Sequence, residues 1–389
     1  MLRTAADLSS GFVEENMCLD AQFKSIANPG CLVGKGKLTM QIKWPISIMV
    51  AITLLTGCMM KEKKQVFNWR LQSQSTEKSV DFQELKKFAN NVRLMSAGRL
   101  VITPYPGGKI TDGADIYPAV KERRIEMGNG WPNWWVGQNP AWGVMNAGPF
   151  DFMNLDASMM FFLADEGTEI ANELSLPDGV MWRPAWWPGM EFGLLSKEKI
   201  DGLDDLKDKK VRIGPGLPSM VLEKASQAQV LPTVAKEIRP ALENGDLDIV
   251  EWTTAGGAWS LGLNDITGYA LVPAVWQPSV LSDFLINQSA YEELPADLQA
   301  ILESAMRSYT LTATMKAKKQ DFVAFELFQQ EMTSIKKWQP EDIARWRQAS
   351  DEVLNSFSDD LMSRQIITKK QAFKDKYDEY YLWFGPYDK

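Results

Sequence analysis

Within Val211-Arg212-Ile213-Gly214 the arginine is the only polar side chain, and Pro215-Gly216 follows at once. A guanidinium at the carboxyl end of a strand can clamp a carboxylate through two parallel hydrogen bonds, and the glycines let a ligand approach the backbone. A structural salt bridge is the plainer reading of the same residue. The run Gly214-Pro215-Gly216-Leu217-Pro218-Ser219 also resembles a phosphate-cradling loop, but no Gly-Lys pair follows it. Glu251-Trp252 comes next, after the apolar residues Leu247, Ile249 and Val250. A carboxylate there can hold a hard cation or accept from a ligand hydroxyl, and otherwise it is a solvated strand-end acid. Fifteen tryptophans complete the set. Trp131, Trp134, Trp135 and Trp142 cluster, as do Trp182, Trp186 and Trp187, with Trp252, Trp259 and Trp276 beyond. Rings beside a polar clamp suit a small organic ligand with an apolar body, three or four of them lining a pocket and the rest packing.

Other chemistry is excluded by what the chain lacks. It contains no histidine, so the usual general base, the commonest transition-metal ligand and the physiological pH switch are all missing. A serine nucleophile would need a lysine base, and no Ser-x-x-Lys stands in a fitting context. The net charge of -8 and the absence of a basic run argue against nucleic acid. The three cysteines, Cys18, Cys31 and Cys58, all precede the body of the chain, so no disulfide framework is expected there.

The elements that must position these residues follow a βαβ rhythm. Val66–Ser73 alternates as a first strand, Phe82–Met95 has helical spacing, Leu100–Thr103 is a second strand, and Val211-Arg212-Ile213 reopens the rhythm. Asp115–Gly130 (DIYPAVKERRIEMGNG) and Glu237–Trp252 (EIRPALENGDLDIVEW) align without a gap, 122 positions apart. A repeated helix-strand unit is the relic expected of two similarly built α/β lobes, each a mainly parallel sheet flanked by helices. Ligands of such sheets sit beyond the strands' carboxyl ends, so both copies can face one cleft. No glycine or proline interrupts Ala296–Gln339, which predicts a long helix crossing both lobes with a break near Met332–Lys337. Further helices are expected from Pro340 and around Lys370–Phe384, and Met127, Met145, Met153, Met159 and Met160 read as core.

Near the N-terminus, Lys43 precedes an apolar run from Trp44 to Leu55, then Leu55-Thr56-Gly57-Cys58. The run has signal-peptide length, short of the roughly 20 residues of a membrane span. The tetrapeptide resembles a bacterial lipobox, which makes Cys58 the expected lipidation site. The organisation expected is therefore an upstream extension (1–39), a lipoprotein signal peptide (40–57) and a linker (58–65). Lobe 1 then spans 66–188 with 271–295, lobe 2 spans 189–270, and the long and C-terminal helices occupy 296–389.

From Phe67 to Phe384 the chain resembles the solute-binding proteins of tripartite ATP-independent periplasmic (TRAP) transporters, DctP-like, most closely the subgroup binding α-keto and related monocarboxylic acids. The motifs that carry the likeness include Phe67-Asn68-Trp69-Arg70-Leu71-Gln72-Ser73, Ile116-Tyr117-Pro118-Ala119, Val211-Arg212-Ile213-Gly214, Asp248-Ile249-Val250-Glu251-Trp252 and Leu294-Pro295-Ala296-Asp297. The resemblance implies a two-lobed, type II-like periplasmic binding protein that is not an enzyme. It would capture a small organic acid and deliver it to a membrane permease, from a lipid anchor, with a homodimer through the C-terminal helices as in some relatives. It implies that Arg212 grips the ligand carboxylate and that Glu251 and the Trp252 carbonyl hold a sodium or calcium ion. Trp134 and Trp135 would flank the cleft, together with Trp276. Three departures stand out. Met190 replaces a glutamine of the cation site, with Glu191 one residue away; Gln277 replaces a carboxylate; and Arg239 replaces a tyrosine, adding positive charge near the cleft. The alternatives are a lipid-anchored enzyme, or a structural lipoprotein with a degenerate cleft.

Overall fold

The computed structural model describes residues 65–146 and 148–385; the upstream extension, the signal segment and Cys58 lie outside them. In β1 (Phe67–Ser73) Phe67, Trp69 and Leu71 point into the core while Asn68 and Arg70 face out, the alternation of a strand with one covered face. The Val80–Met95 helix starts at Ser79, whose hydroxyl accepts from the Phe82 amide, and returns the chain to β2 (Leu100–Tyr105). The remaining strands are β3 (Met127–Gly130), β4 (Val180–Trp186), β5 (Leu194–Ser196), β6 (Lys210–Arg212), β7 (Gln229–Val230), β8 (Ile249–Glu251), β9 (Tyr269–Val272), β10 (Ser282–Asn287) and β11 (Ser334–Lys337).

The strands form two sheets, one per lobe, ordered β2-β1-β3-β10-β4 and β7-β6-β8-β5-β9-β11. Each begins with three parallel strands, continues through an antiparallel strand, and follows that with a second antiparallel pairing. The mainly parallel sheets expected from the sequence are therefore mixed. The reason is that β10 and β5 are lent across the molecule: the chain leaves lobe 1 after β4 to make β5, and leaves lobe 2 after β9 to make β10. The sequence repeat maps onto equivalent elements. The Ile116–Lys121 helix with β3 and the Ala235–Asn244 helix with β8 take the same places in their sheets, and β3 and β8 start at the aligned residues Met127 and Ile249.

The Ala296–Glu331 helix is unbroken over 36 residues, about 54 Å at 1.5 Å per residue. Leu298, Leu302, Met306, Tyr309 and Ala313 pack with β1, β2 and β10 of lobe 1, and Ala324 and Phe328 pack with Leu195 and Val250 of lobe 2. The segment after it, where a helix break was expected, is the edge strand β11, parallel to β9. The Pro340–Ser356 helix ties to lobe 2 through Arg345–Asp204 and Lys224–Glu352. The Leu361–Phe384 helix ties to lobe 1, where the buried Lys370 ammonium donates to the Val144 and Asn146 carbonyls and pairs with Asp151. Met127 and Met145 are buried, but Met153 and Met160 are exposed.

Candidate functional site: a buried arginine and three cleft oxygens

A cleft lies where the two sheets' carboxyl ends meet. Gln74, Asp112, Trp131, Asn133 and Trp134 contribute from lobe 1, and Arg212, Gly214, Glu251 and Trp252 from lobe 2. Arg212 closes β6 and Glu251 closes the adjacent β8, with Arg212 in register with Val250. Arg212 is buried, only 3% exposed. Its Nε donates to the Thr233 carbonyl at 3.0 Å, and Nη1 donates to the Glu251 carbonyl at 2.7 Å and to Glu251 Oε2 at 2.8 Å. A guanidinium has five N–H bonds; three are engaged here, and Nη2 donates to no described residue. The group also lies over the Trp252 ring, 4.7 Å from its centroid. Burial lowers the Arg212 pKa from its ordinary value, while Glu251 and Glu191 oppose the shift.

Glu251 Oε1 accepts from the Thr253 amide at 2.8 Å. Thr253 turns the chain with φ 43°, left-handed backbone that a β-branched residue rarely adopts, so local strain sits beside the cleft.

The other polar groups arrive on the two crossovers. Glu191 lies between β4 and β5, bracketed by Gly189 (φ 134°) and Gly193 (φ 145°). These dihedrals are open to glycine, and a Cβ on Gly193 would stand 2.1 Å from the Leu271 carbonyl oxygen. Gln277 lies between β9 and β10, and its Nε2 donates to Glu191 Oε1 at 2.9 Å. Glu191 Oε2 and Gln277 Oε1 are buried without any hydrogen-bond partner among the described residues. Burial first, and then the neighbouring Glu251 charge, push the Glu191 carboxyl well above the ordinary carboxylate range. Two carboxyls and an amide oxygen thus converge with two acceptors unsatisfied, an oxygen-only donor set that fits a hard cation.

Of the residues singled out in the sequence, Arg212, Glu251, Trp252, Trp134 and Gln277 line this cleft. Three others do not. Trp135 is fully buried, with its indole N–H donating to Asp283 at 2.8 Å. Trp276 is fully buried against Trp338 and Trp346. Arg239 sits on the outer face of its helix, paired with Glu243 and Asp265. Met190 is 39% exposed and faces a different groove with Phe322 and Phe325, so Glu191 is the residue that enters the cleft. Trp131, one of the tryptophans clustered in the sequence, also lines the cleft, whereas sequence reasoning missed Asn133 and Gln74. The glycines around Glu191 were the available signal for that residue. Asn133 Nδ2 reaches across to the Pro215 carbonyl at 3.0 Å, and Lys236 pairs with Asp112 at 3.1 Å, so the lobes meet over the cleft.

Two lobes exchanging strands and closing over a charged crevice define a periplasmic binding protein. The chain belongs to the bacterial extracellular solute-binding protein family 7 (DctP), whose model matches residues 71–360. It is 28% identical over 273 residues to a monocarboxylate 2-oxoacid-binding periplasmic protein of a Nostoc species, covering 68% of this chain and 74% of the relative. A TRAP periplasmic solute-binding protein of Pseudoalteromonas atlantica with bound sodium and pyruvate superimposes with TM-score 0.76 at 26% identity, over 82% of this chain and 96% of that one. Another from Colwellia psychrerythraea, with bound calcium and pyruvate, gives TM-score 0.76 at 25% identity over 82% and 97%.

Proposed function

We propose that the chain is the lipid-anchored periplasmic receptor of a TRAP transporter, binding a monocarboxylic 2-oxoacid and passing it unchanged to the membrane permease. The observation that carries this reading is the divided guanidinium of Arg212. Nε and Nη1 are held by Thr233 and Glu251, which fixes the plane of the group, while the two Nη2 protons remain for a ligand carboxylate. Glu191, Gln277 Oε1, Glu251 and the Trp252 carbonyl would hold a sodium or calcium ion. Such an ion supplies positive charge that offsets two carboxyls served by one arginine and draws in a second ligand oxygen.

In this reading Trp131, Trp134 and Trp252 enclose the ligand and exclude water. Lobe 2 takes residues 189–272, so that β9 stays whole and the expected boundary at 270 moves by two residues, and lobe 1 takes 66–188 with 273–295. Cys58 carries the anchor, and the C-terminal helices serve any pairing of two copies. Calorimetry with pyruvate, in sodium or calcium against a chelated potassium buffer, tests the reading. Wild type should bind one equivalent, and Arg212→Ala should lose about 1.5–3 kcal/mol of affinity, the worth of a charge-assisted hydrogen bond. Equal binding by both proteins would remove the clamp from the model.

A further inference from the structure

Behind Trp131 and Trp252 lies a second chamber, which shares Trp131, Trp252 and Thr253 with the first cleft. It is bounded by the start of the Val80–Met95 helix on one side and the Ala255–Ser260 helix on the other, with Gln320 and Asp321 of the long helix as its floor. Its lining is rich in hydroxyls, and three of them already donate within the protein. Ser79 Oγ donates to the Thr76 carbonyl, Thr254 Oγ1 to Asp321, and Ser260 Oγ to the Gly257 carbonyl. Ser79 and Thr254 also accept from the Phe82 and Gly257 amides, so what each of these oxygens keeps for a ligand is acceptor capacity alone. Asp81 adds a carboxylate that is 5% exposed and whose Oδ2 has no hydrogen-bond partner among the described residues. A buried acceptor left unsatisfied costs free energy that a donor would recover.

We propose that the second chamber, through Asp81 Oδ2 and the Ser79, Thr254 and Ser260 oxygens, receives the hydroxylated tail of the ligand, so that the favoured solute is a polyhydroxy 2-oxoacid rather than a bare alkyl one. The inference rests on the receptor reading above: the carboxylate end stays at Arg212, and the tail passes between Trp131 and Trp252. An alkyl tail of the same length would leave Asp81 Oδ2 unpaired, so the chamber discriminates by hydrogen bonding.

Titration calorimetry with pyruvate, 2-oxohexanoate and 2-ketogluconate, the last two of equal carbon number, tests it. Wild type should bind 2-ketogluconate about tenfold or more tighter than 2-oxohexanoate, and Asp81→Asn should bring the two within about twofold. A wild type that binds pyruvate but does not favour 2-ketogluconate over 2-oxohexanoate overturns the tail chamber and leaves the receptor reading standing. A preference that survives Asp81→Asn unchanged also overturns it. Should Asp81→Asn not fold, the wild-type comparison of the two six-carbon acids decides alone. Failure of all three acids, pyruvate included, overturns the receptor reading and this inference with it.

Discussion

At the scale of single residues, the site works by leaving particular atoms unpaired. Gln277 presents Oε1 because its Nε2 is spent on Glu191. Gln277→Leu should therefore weaken cation-dependent pyruvate binding by about tenfold, as expected when one buried polar partner is lost, while cation-free binding changes less; titration at several calcium concentrations reads this directly. Asp283 poses a different case. Its Oδ2 accepts from the Trp135 and Trp182 indoles, Tyr117 lies within its field, and burial pushes its carboxyl up to about 7. An acid whose folded pKa is raised binds more protons folded than unfolded, so its contribution is full below about pH 4 and is lost as pH rises to about 7. Thermal melts across that window should fall more steeply for wild type than for Asp283→Asn, and parallel profiles would rule the assignment out. Arg212 and Glu251 were legible as candidates because each is a lone charge between apolar neighbours at a strand end, and the structural salt bridge weighed for Arg212 is there as well, made to Glu251. Trp134 and Trp135 were not separable. They are neighbours in a 3-10 turn, one facing the cleft and one the core, and spacing alone does not say which way such a turn points.

At the scale of elements, the crossover from β4 to β5 aims Glu191. Its glycine at 193 lies against the Leu271 backbone, which has no side chain to swing away. Gly193→Ala should consequently destabilise the protein by several kcal/mol, at least the ~1–3 kcal/mol of a strained φ plus the steric clash, seen as a lowered urea midpoint. The long helix is robust by comparison, yet Phe328→Ala, at its lobe 2 end, should cost about 3–5 kcal/mol. That helix was readable from the absence of glycine and proline and from its apolar spacing. β11 was not, because Ser334-Ile335-Lys336-Lys337 is an edge strand carrying two lysines and owes its conformation to pairing with β9. The antiparallel strands β5 and β10 escaped for a similar reason: local pattern shows that a strand exists but not which sheet receives it.

At the scale of the whole molecule, Asn133–Pro215 and Lys236–Asp112 are polar contacts that join the two lobes over the cleft and can break when it opens. Asn133→Ala removes the bridge to Pro215 and should cost about 1 kcal/mol of ligand affinity. Ligand addition should also shrink the radius of gyration in solution scattering, less so in that variant. The repeat did reveal two kindred halves, since β3 and β8 begin at aligned positions. It could not reveal that each half completes its sheet with a strand from beyond its own run of sequence. That exchange has a consequence for how the polypeptide is made. A nascent chain ending before Ser282 holds β3 and β4 with nothing between them, two raw edges of the kind that recruit neighbouring molecules. Lobe 1 is thus begun first yet cannot close its sheet until β10 has been made, and the sheet of lobe 2 waits longer still, for β11.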